Sequence, residues 1–359
     1  MAYTTINKPN LHFNTLTYTG DAVSPRTVTG VGFKPDFTWI KNRTRAGNTA
    51  LNDNVRGVGT GAYKALSTEG TGAEGANGES GYGYVSAYAS DGFTLTTGST
   101  AYDIVNRSGD SYVSWNWLAS GTTAVSNTTG TISSTVSANA TAGFSIVSWT
   151  GNGTSGATVG HGLGVTPKMF IVKNRTVAGA WLVQHAGLTG QPQANSSTIT
   201  LGSGNANGMV LLSNSGGEIS YGFDGQMNGS GNSMIAYCFS EVKGYSKFGS
   251  YTGNGSTDGT FVYTGFKPAF LIVKRKDSST TNNWRMWDNK RSPSNAMCNF
   301  LYHNLNNDED VDVTVDFLSN GFKFRNASVD NNGSGSNYIY IAFAEQPLVG
   351  TNNVPATAR

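Results

Sequence analysis

One motif occurs three times in this chain, and it constrains the fold more than any other feature. Pro35-Asp36-Phe37-Thr38-Trp39-Ile40-Lys41-Asn42-Arg43 returns as Pro167-Lys168-Met169-Phe170-Ile171-Val172-Lys173-Asn174-Arg175 and as Pro268-Ala269-Phe270-Leu271-Ile272-Val273-Lys274-Arg275-Lys276. Each copy is a proline, an apolar run and a lysine six residues after the proline. The flanks repeat too. Tyr18-Thr19-Gly20, Trp149-Thr150-Gly151 and Tyr251-Thr252-Gly253 come before the copies. Asp53, His185 and Asp288 follow them, each two residues past an apolar position (Leu51, Val183, Met286). Such self-similarity has to be found before a fold is assigned. It divides the chain into units at 1–121, 143–243 and 244–350, with a linker at 122–142 and a tail at 351–359.

Composition points to the kind of unit that repeats. Among 359 residues there are 47 glycines, and charged residues make up only 13%. Gly, Ser, Thr and Asn fill the gap. Ser and Asn compete for the backbone and Gly loses the most entropy, so helices are disfavoured. Short strands joined by turns are favoured. The expected fold is all-β: tandem β-sandwich repeats with almost no helix. A net charge of +2 is too small for a nucleic-acid footprint. No run of about 18 apolar residues occurs, so no helix is expected to cross a membrane. Residues Met1 to Asn10 lack a basic start and an apolar core, so no secretory leader is expected. Cys238 and Cys298 are too few for a disulfide framework, and Cys238 reads as a buried thiol.

The closing strand of each unit gives the clearest pattern. Val113-Trp115-Trp117, Ile235-Tyr237-Phe239 and Ile339-Ile341-Phe343 alternate with smaller residues such as Ser114 and Asn116, Ala236 and Cys238, and Ala342. Period two with one bulky face means a strand whose large side packs in a core. Asp91-Gly92 and Asn320-Gly321 supply the positive φ angles of tight hairpins. The motif lysines read as solvated strand ends that discourage edge pairing. Residues 1–12 read as an extended arm, and 57–82 as a long glycine-rich surface loop. The linker has no aromatic and no charge, though Thr131 to Val136 has the makings of one strand.

Catalytic signatures are absent. There is no Gly-x-Ser-x-Gly elbow, no phosphate loop and no metal-ligand spacing among His12, His161, His185 and His303. No enzyme activity and no cofactor are therefore expected. Asp308-Glu309-Asp310-Val311-Asp312 concentrates carboxylates that suit Ca²⁺, but it lacks the glycine of an EF-hand loop and reads as a solvated hairpin. Asp53 and Arg56 are spaced like Asp288 and Arg291, while the second unit has His185 and Leu188. The ordinary reading is a turn carboxylate with its guanidinium, and the functional one is a polar site at a sandwich edge. Trp181, Trp284 and Trp287 lie just upstream. Core anchors are the commoner role for such residues. The alternative is a platform for a sugar ring, with Asp288 or His185 bonding its hydroxyls. The candidate glycan contacts are therefore Trp181, His185, Trp284, Trp287 and Asp288.

Thr135-Val136-Ser137-Ala138-Asn139-Ala140-Thr141-Ala142-Gly143-Phe144, Val159-Gly160-His161-Gly162-Leu163-Gly164, and Tyr245-Ser246-Lys247-Phe248-Gly249-Ser250-Tyr251-Thr252-Gly253-Asn254-Gly255 resemble a family of tail-fibre-type virion proteins of bacteriophages, common in marine phages. Met1-Ala2-Tyr3-Thr4-Thr5-Ile6 and Trp39-Ile40-Lys41-Asn42-Arg43 are similar too. The resemblance implies a virion structural protein whose β-sandwich repeats are of jelly-roll, lectin-like type, made in the host cytoplasm. It also implies other virion proteins as partners, self-association, and host-surface glycan as a contact, with no nucleic acid and no membrane insertion. The alternatives are a head-decoration or baseplate adaptor protein with no receptor role, and a glycan-degrading virion enzyme. The last needs two carboxylates about 5 to 9.5 Å apart in one cleft.

Overall fold

The computed structural model describes residues 3–58, 64–75, 79–99, 103–189, 194–202, 206–210, 219–221, 225–278, 282–350 and 355–356. Among them the fold is nearly all β. The only helical segments are a turn at Pro9–Leu11 and two four-residue helices, Glu79–Tyr82 and Gly225–Asn228.

Every repeat builds the same four-stranded antiparallel sheet. In the first, an opening strand (Phe13–Thr19) pairs with the closing strand (Ser111–Trp117). That strand pairs with the proline-motif strand (Phe37–Asn42), which pairs with a short strand (Ala50–Asp53). The second repeat does this with Phe144–Thr150, Ser233–Phe239, Met169–Asn174 and Leu182–His185. The third uses Ser246–Thr252, Asn337–Pro347, Phe266–Arg275 and Arg285–Asp288. The third proline strand begins before Pro268, which sits at a shift in register where a missing N–H is tolerated.

A second layer covers one face of each sheet. In the first repeat it is Arg26–Thr29, Gly92–Thr96 and Tyr84–Ala89, the last two joined by a tight hairpin whose loop is Ser90-Asp91; Gly92 is already paired in the strand and Asp91 has no positive φ, so the turn is not the one expected of Asp91-Gly92. In the second repeat Ala157–Gly160 pairs with Thr198–Leu201. In the third, Met297–Tyr302, Asp310–Leu318, Gly321–Phe324 and Phe261–Tyr263 continue from the inner sheet, with Asn320-Gly321 at the hairpin. Each repeat is thus a small sandwich with its own core. Ile40, Phe93 and Tyr112 mark the first core, Phe170, Ile199 and Cys238 the second, and Leu271, Phe322 and Tyr340 the third.

The bulky faces of the closing strands do not point into these sandwiches. They point at one another. Trp115, Trp117, Tyr237, Phe239, Ile341 and Phe343 join Phe37, Trp39, Met169, Phe270 and Ile272 in one cluster drawn from all three repeats. Alternation forces this arrangement, because the residues between them already fill the individual sandwiches. An apolar cavity of about 40 Å³ lies where the three faces meet, lined by matching motif positions such as Trp39, Ile171 and Ile272. Three further expectations are corrected. The stretch read as a linker carries two strands, Val125–Asn127 and Ser134–Asn139, which extend the second sheet. The arm is pinned, with Ile6 buried in the shared cluster and the Tyr3 hydroxyl donating to Gly265 O at 2.7 Å. Of the glycine-rich loop, 59–63 and 76–78 lie outside the described residues, but Leu66 and Thr68 are buried.

Because the apolar faces are shared, damage to one repeat reaches all three. Tyr237→Asp and Ile341→Asp should each destabilise the whole molecule, by on the order of 4 kcal/mol or more, in one cooperative transition. Ala342→Ser, inside a single sandwich, should cost less. Calorimetry resolving separate transitions for the three repeats would refute the shared core.

Candidate functional site

Where the repeats meet, their polar residues form three seams in cyclic order. The first repeat reaches the second through Asp53. Its Oδ2 accepts the Tyr237 hydroxyl at 2.7 Å and Arg56 Nε at 2.5 Å. Arg56 also lies 3.4 Å from Glu74, whose other oxygen is 2.6 Å from Arg175 of the second repeat. The third repeat reaches the first in the same way. Asp288 Oδ2 accepts Trp115 Nε1 at 3.0 Å and Arg291 Nε at 2.6 Å. Arg291 lies 3.0 Å from Glu309, and Glu309 lies 2.7 Å from Arg43. Even the backbone matches, since Glu74 N donates to Arg175 O and Glu309 N to Arg43 O, both at 2.9 Å. Each chain of four groups alternates in sign, Asp–Arg–Glu–Arg, which is what lets such charges stay out of water.

The seam from the second repeat to the third is built differently. His185 stands in the place of the carboxylate and Ile341 in the place of the donor, and an isoleucine has nothing to donate. The imidazole turns to the backbone instead. Its Nδ1 accepts Gly187 N–H at 2.9 Å, so Nε2 carries the proton and donates to Tyr340 O at 3.1 Å. Gly187 is required by the close approach, because a Cβ there would lie 2.9 Å from Ile339 Cγ2. Lys276 stands in the place of Arg43 and Arg175, while Arg275, the counterpart of Asn42 and Asn174, pairs with Asp277 of its own repeat at 2.8 Å.

The motif lysines are buried, not solvated. Lys41 Nζ donates to Leu305 O of the third repeat at 2.9 Å, and Lys173 Nζ to Thr71 O of the first at 3.0 Å. Lys274 Nζ donates to Asn282 O, and Lys276 Nζ reaches Gly187 O of the second repeat at 2.8 Å. Burial pushes Lys41, Lys173 and Lys274 down to about 8. Loops from neighbouring repeats therefore dock on the ends of these strands, a role that short-range spacing does not reveal.

All five expected glycan contacts are fully buried, and this corrects their assignment. Trp181 and Trp284 belong to the shared core, and Trp181 Nε1 donates to Ser67 O at 2.9 Å. Trp287 belongs to the third sandwich and donates to Thr314 Oγ1 at 2.7 Å. His185 and Asp288 are taken up by the seams. No sugar ring can stack on these residues. The acidic run is not a freely solvated hairpin either, because Glu309 turns inward to the two arginines. Among the described residues, no group of three or more His, Cys, Asp or Glu side chains could hold a metal ion. Cys238 is buried as expected, and burial pushes its thiol up to about 12.

The molecule is an all-β protein of three sandwich repeats closed around a common core. It belongs to the family described as a domain of unknown function, DUF7483, whose model matches residues 8–347 and so spans all three repeats. No curated protein and no solved structure matches the chain.

The seams make two predictions. Replacing Glu309 by Ala leaves Arg43 and Arg291 facing each other without their shared carboxylate. It should cost about 3–5 kcal/mol, read as a fall in the denaturation midpoint. Surface-like behaviour, below about 1 kcal/mol, would show that the network is solvated.

The second concerns acid. Burial pushes His185 down to about 4, partly offset by its bond to Tyr340 O and reinforced by Lys276. The unfolded imidazole takes up a proton below about 6.5, while the folded one resists to about 4. Its contribution to stability is therefore complete above that range and is lost as pH falls through it. His185→Gln keeps a donor and an acceptor but does not titrate. It should lose less stability than wild type between about pH 7 and about pH 4. Equal losses in denaturant titrations would mean that His185 plays no part in acid sensitivity.

Proposed function

We propose that this chain is a bacteriophage virion structural protein, a tail-fibre-type component exposed on the particle, whose outer surface contacts host glycan. The observation that most supports the reading is the use made of its charged and aromatic residues. Lys41, Lys173, Lys274, Asp53, Asp288, Glu309 and the tryptophans close the body instead of lining a cleft. That suits a rigid part of an assembly, and the resemblance of Tyr245 to Gly255 and of the other quoted stretches names the kind of assembly. A decoration or adaptor role on the same particle is the second reading. It is favoured by the burial of the five residues first considered for sugar contact.

Mass spectrometry of purified particles, followed by antibody labelling in electron micrographs, tests the proposal. The protein should be present in particles at a fixed copy number, with label on the tail. Label on the head would favour decoration. Absence from particles that are otherwise complete would overturn the virion reading.

A further inference from the structure

The three repeats agree inside and differ outside, and one outward difference stands apart. Each second layer has a strand whose central valine is buried: Val28, Val159 and Val262. The residues on either side of it differ between repeats. In the first repeat they are the exposed Thr27 and Thr29, and in the second the half-buried Thr158 and the buried Gly160. In the third they are Phe261 and Tyr263, which are 44% and 49% exposed. The strand Phe261–Tyr263 is the last in its sheet. Its two aromatic residues lie on one face, about 7 Å apart along the strand. Tyr263 lies opposite Gly321, where a Cβ would come 2.1 Å from Val262 O, so no side chain can stand there to cover the ring.

Polar groups of both signs surround the rings. Phe261 lies opposite Lys323, whose Nζ is 2.5 Å from the exposed Asp258 carboxylate. Lys247 Nζ lies 6.0 Å from the Tyr263 ring centre, and Lys243 Nζ 4.6 Å from that of Tyr3. The Tyr3 hydroxyl donates to the backbone of Gly265, two residues past Tyr263. Past Tyr3 the surface drops into an open groove of about 500 Å³ lined by Thr4, Val165, Glu241 and Lys243, among others.

We infer that Phe261 and Tyr263 form a carbohydrate-binding face, with Asp258 and Lys323 bonding hydroxyls and the groove beyond Tyr3 taking further sugar units. The inference rests on the proposed surface role and moves its ligand contact from buried to exposed residues. The occupant follows from size and chemistry. Two rings are far less than the roughly 800 Å² per partner of a stable protein interface. A pyranose has an apolar C–H face for each ring and hydroxyls that both donate and accept, which suits a fringe of mixed sign. The first repeat carries exposed threonines at the same two positions, so the sandwich does not require an aromatic pair there.

The test gives Phe261 and Tyr263 the residues that the first repeat carries. Wild type and the double variant Phe261→Thr/Tyr263→Thr, both as full chains, are applied to an array of bacterial lipopolysaccharides and capsular polysaccharides. Saturation-transfer NMR with free hexoses and N-acetylhexosamines is run beside it. Wild type should be retained, and the variant should bind at least about tenfold more weakly at an unchanged melting temperature. Tyr263→Phe should keep most of the binding, because the ring remains. Equal binding by the double variant, or no binding by wild type, overturns the inference. So does sedimentation showing that the substitutions abolish self-association and leave sugar binding intact. The measurement uses free protein, so it fails or succeeds independently of whether the chain is found in particles.

Discussion

Everything in this molecule depends on three apolar sheet faces burying one another. A four-stranded sheet in a sandwich has two faces, and each repeat covers only one with its own second layer. The other carries Trp115 and Trp117, Tyr237 and Phe239, or Ile341 and Phe343. Leaving such a face in water is unfavourable by roughly 25 cal/mol for each Å² exposed. Two faces pressed together would satisfy only two repeats. Three repeats joined by short connections bring three faces to one centre, and the small apolar cavity there is what remains between flat surfaces that meet at angles.

Apolar burial alone does not decide which edge of one repeat meets which edge of the next. The seams supply that choice. The last residue of each short strand crosses to the next closing strand: Asp53 to Tyr237, His185 to the Tyr340 carbonyl, Asp288 to Trp115. The contacts are head-to-tail, and head-to-tail contacts either close a ring or run on without end. Here they close at three within a single chain, so no seam is left to propagate. The buried charge chains add little net stability against apolar replacements, but breaking one leaves an uncompensated ion. Their value is that a wrong pairing of edges would strand Glu74 or Glu309 among apolar groups.

Much of this was legible in the sequence. The repeat, the strands, the two-residue hairpins and the alternation of the closing strands all follow from local rules, and the structure has them. Local rules could not say what lies beyond a strand's far face. That is why Lys41, Lys173 and Lys274 read as solvated ends, and why Trp181 and Trp284 allowed a sugar platform. One signal was available. Asp53 with Arg56 and Asp288 with Arg291 share a spacing, while the second repeat changes both residues at once, to His185 and Leu188. A paired change of that kind marks groups that act together. In the fold it coincides with a third change, Ile341 in place of a hydrogen-bond donor, which only the cyclic arrangement of repeats connects to the other two.

The repeats therefore divide their positions into two classes. Inward positions are held to matching roles by the shared core and the seams, so their chemistry is spent on closure. Outward positions carry no such constraint, and there the repeats diverge, as Thr27 and Thr29 of the first do from Phe261 and Tyr263 of the third. A body whose interior is fixed by triplication can change one outer face without disturbing the others. Distinctive chemistry on such a molecule belongs on surfaces where one repeat departs from its sisters, and the buried motif that announces the repeats is the part least free to carry it.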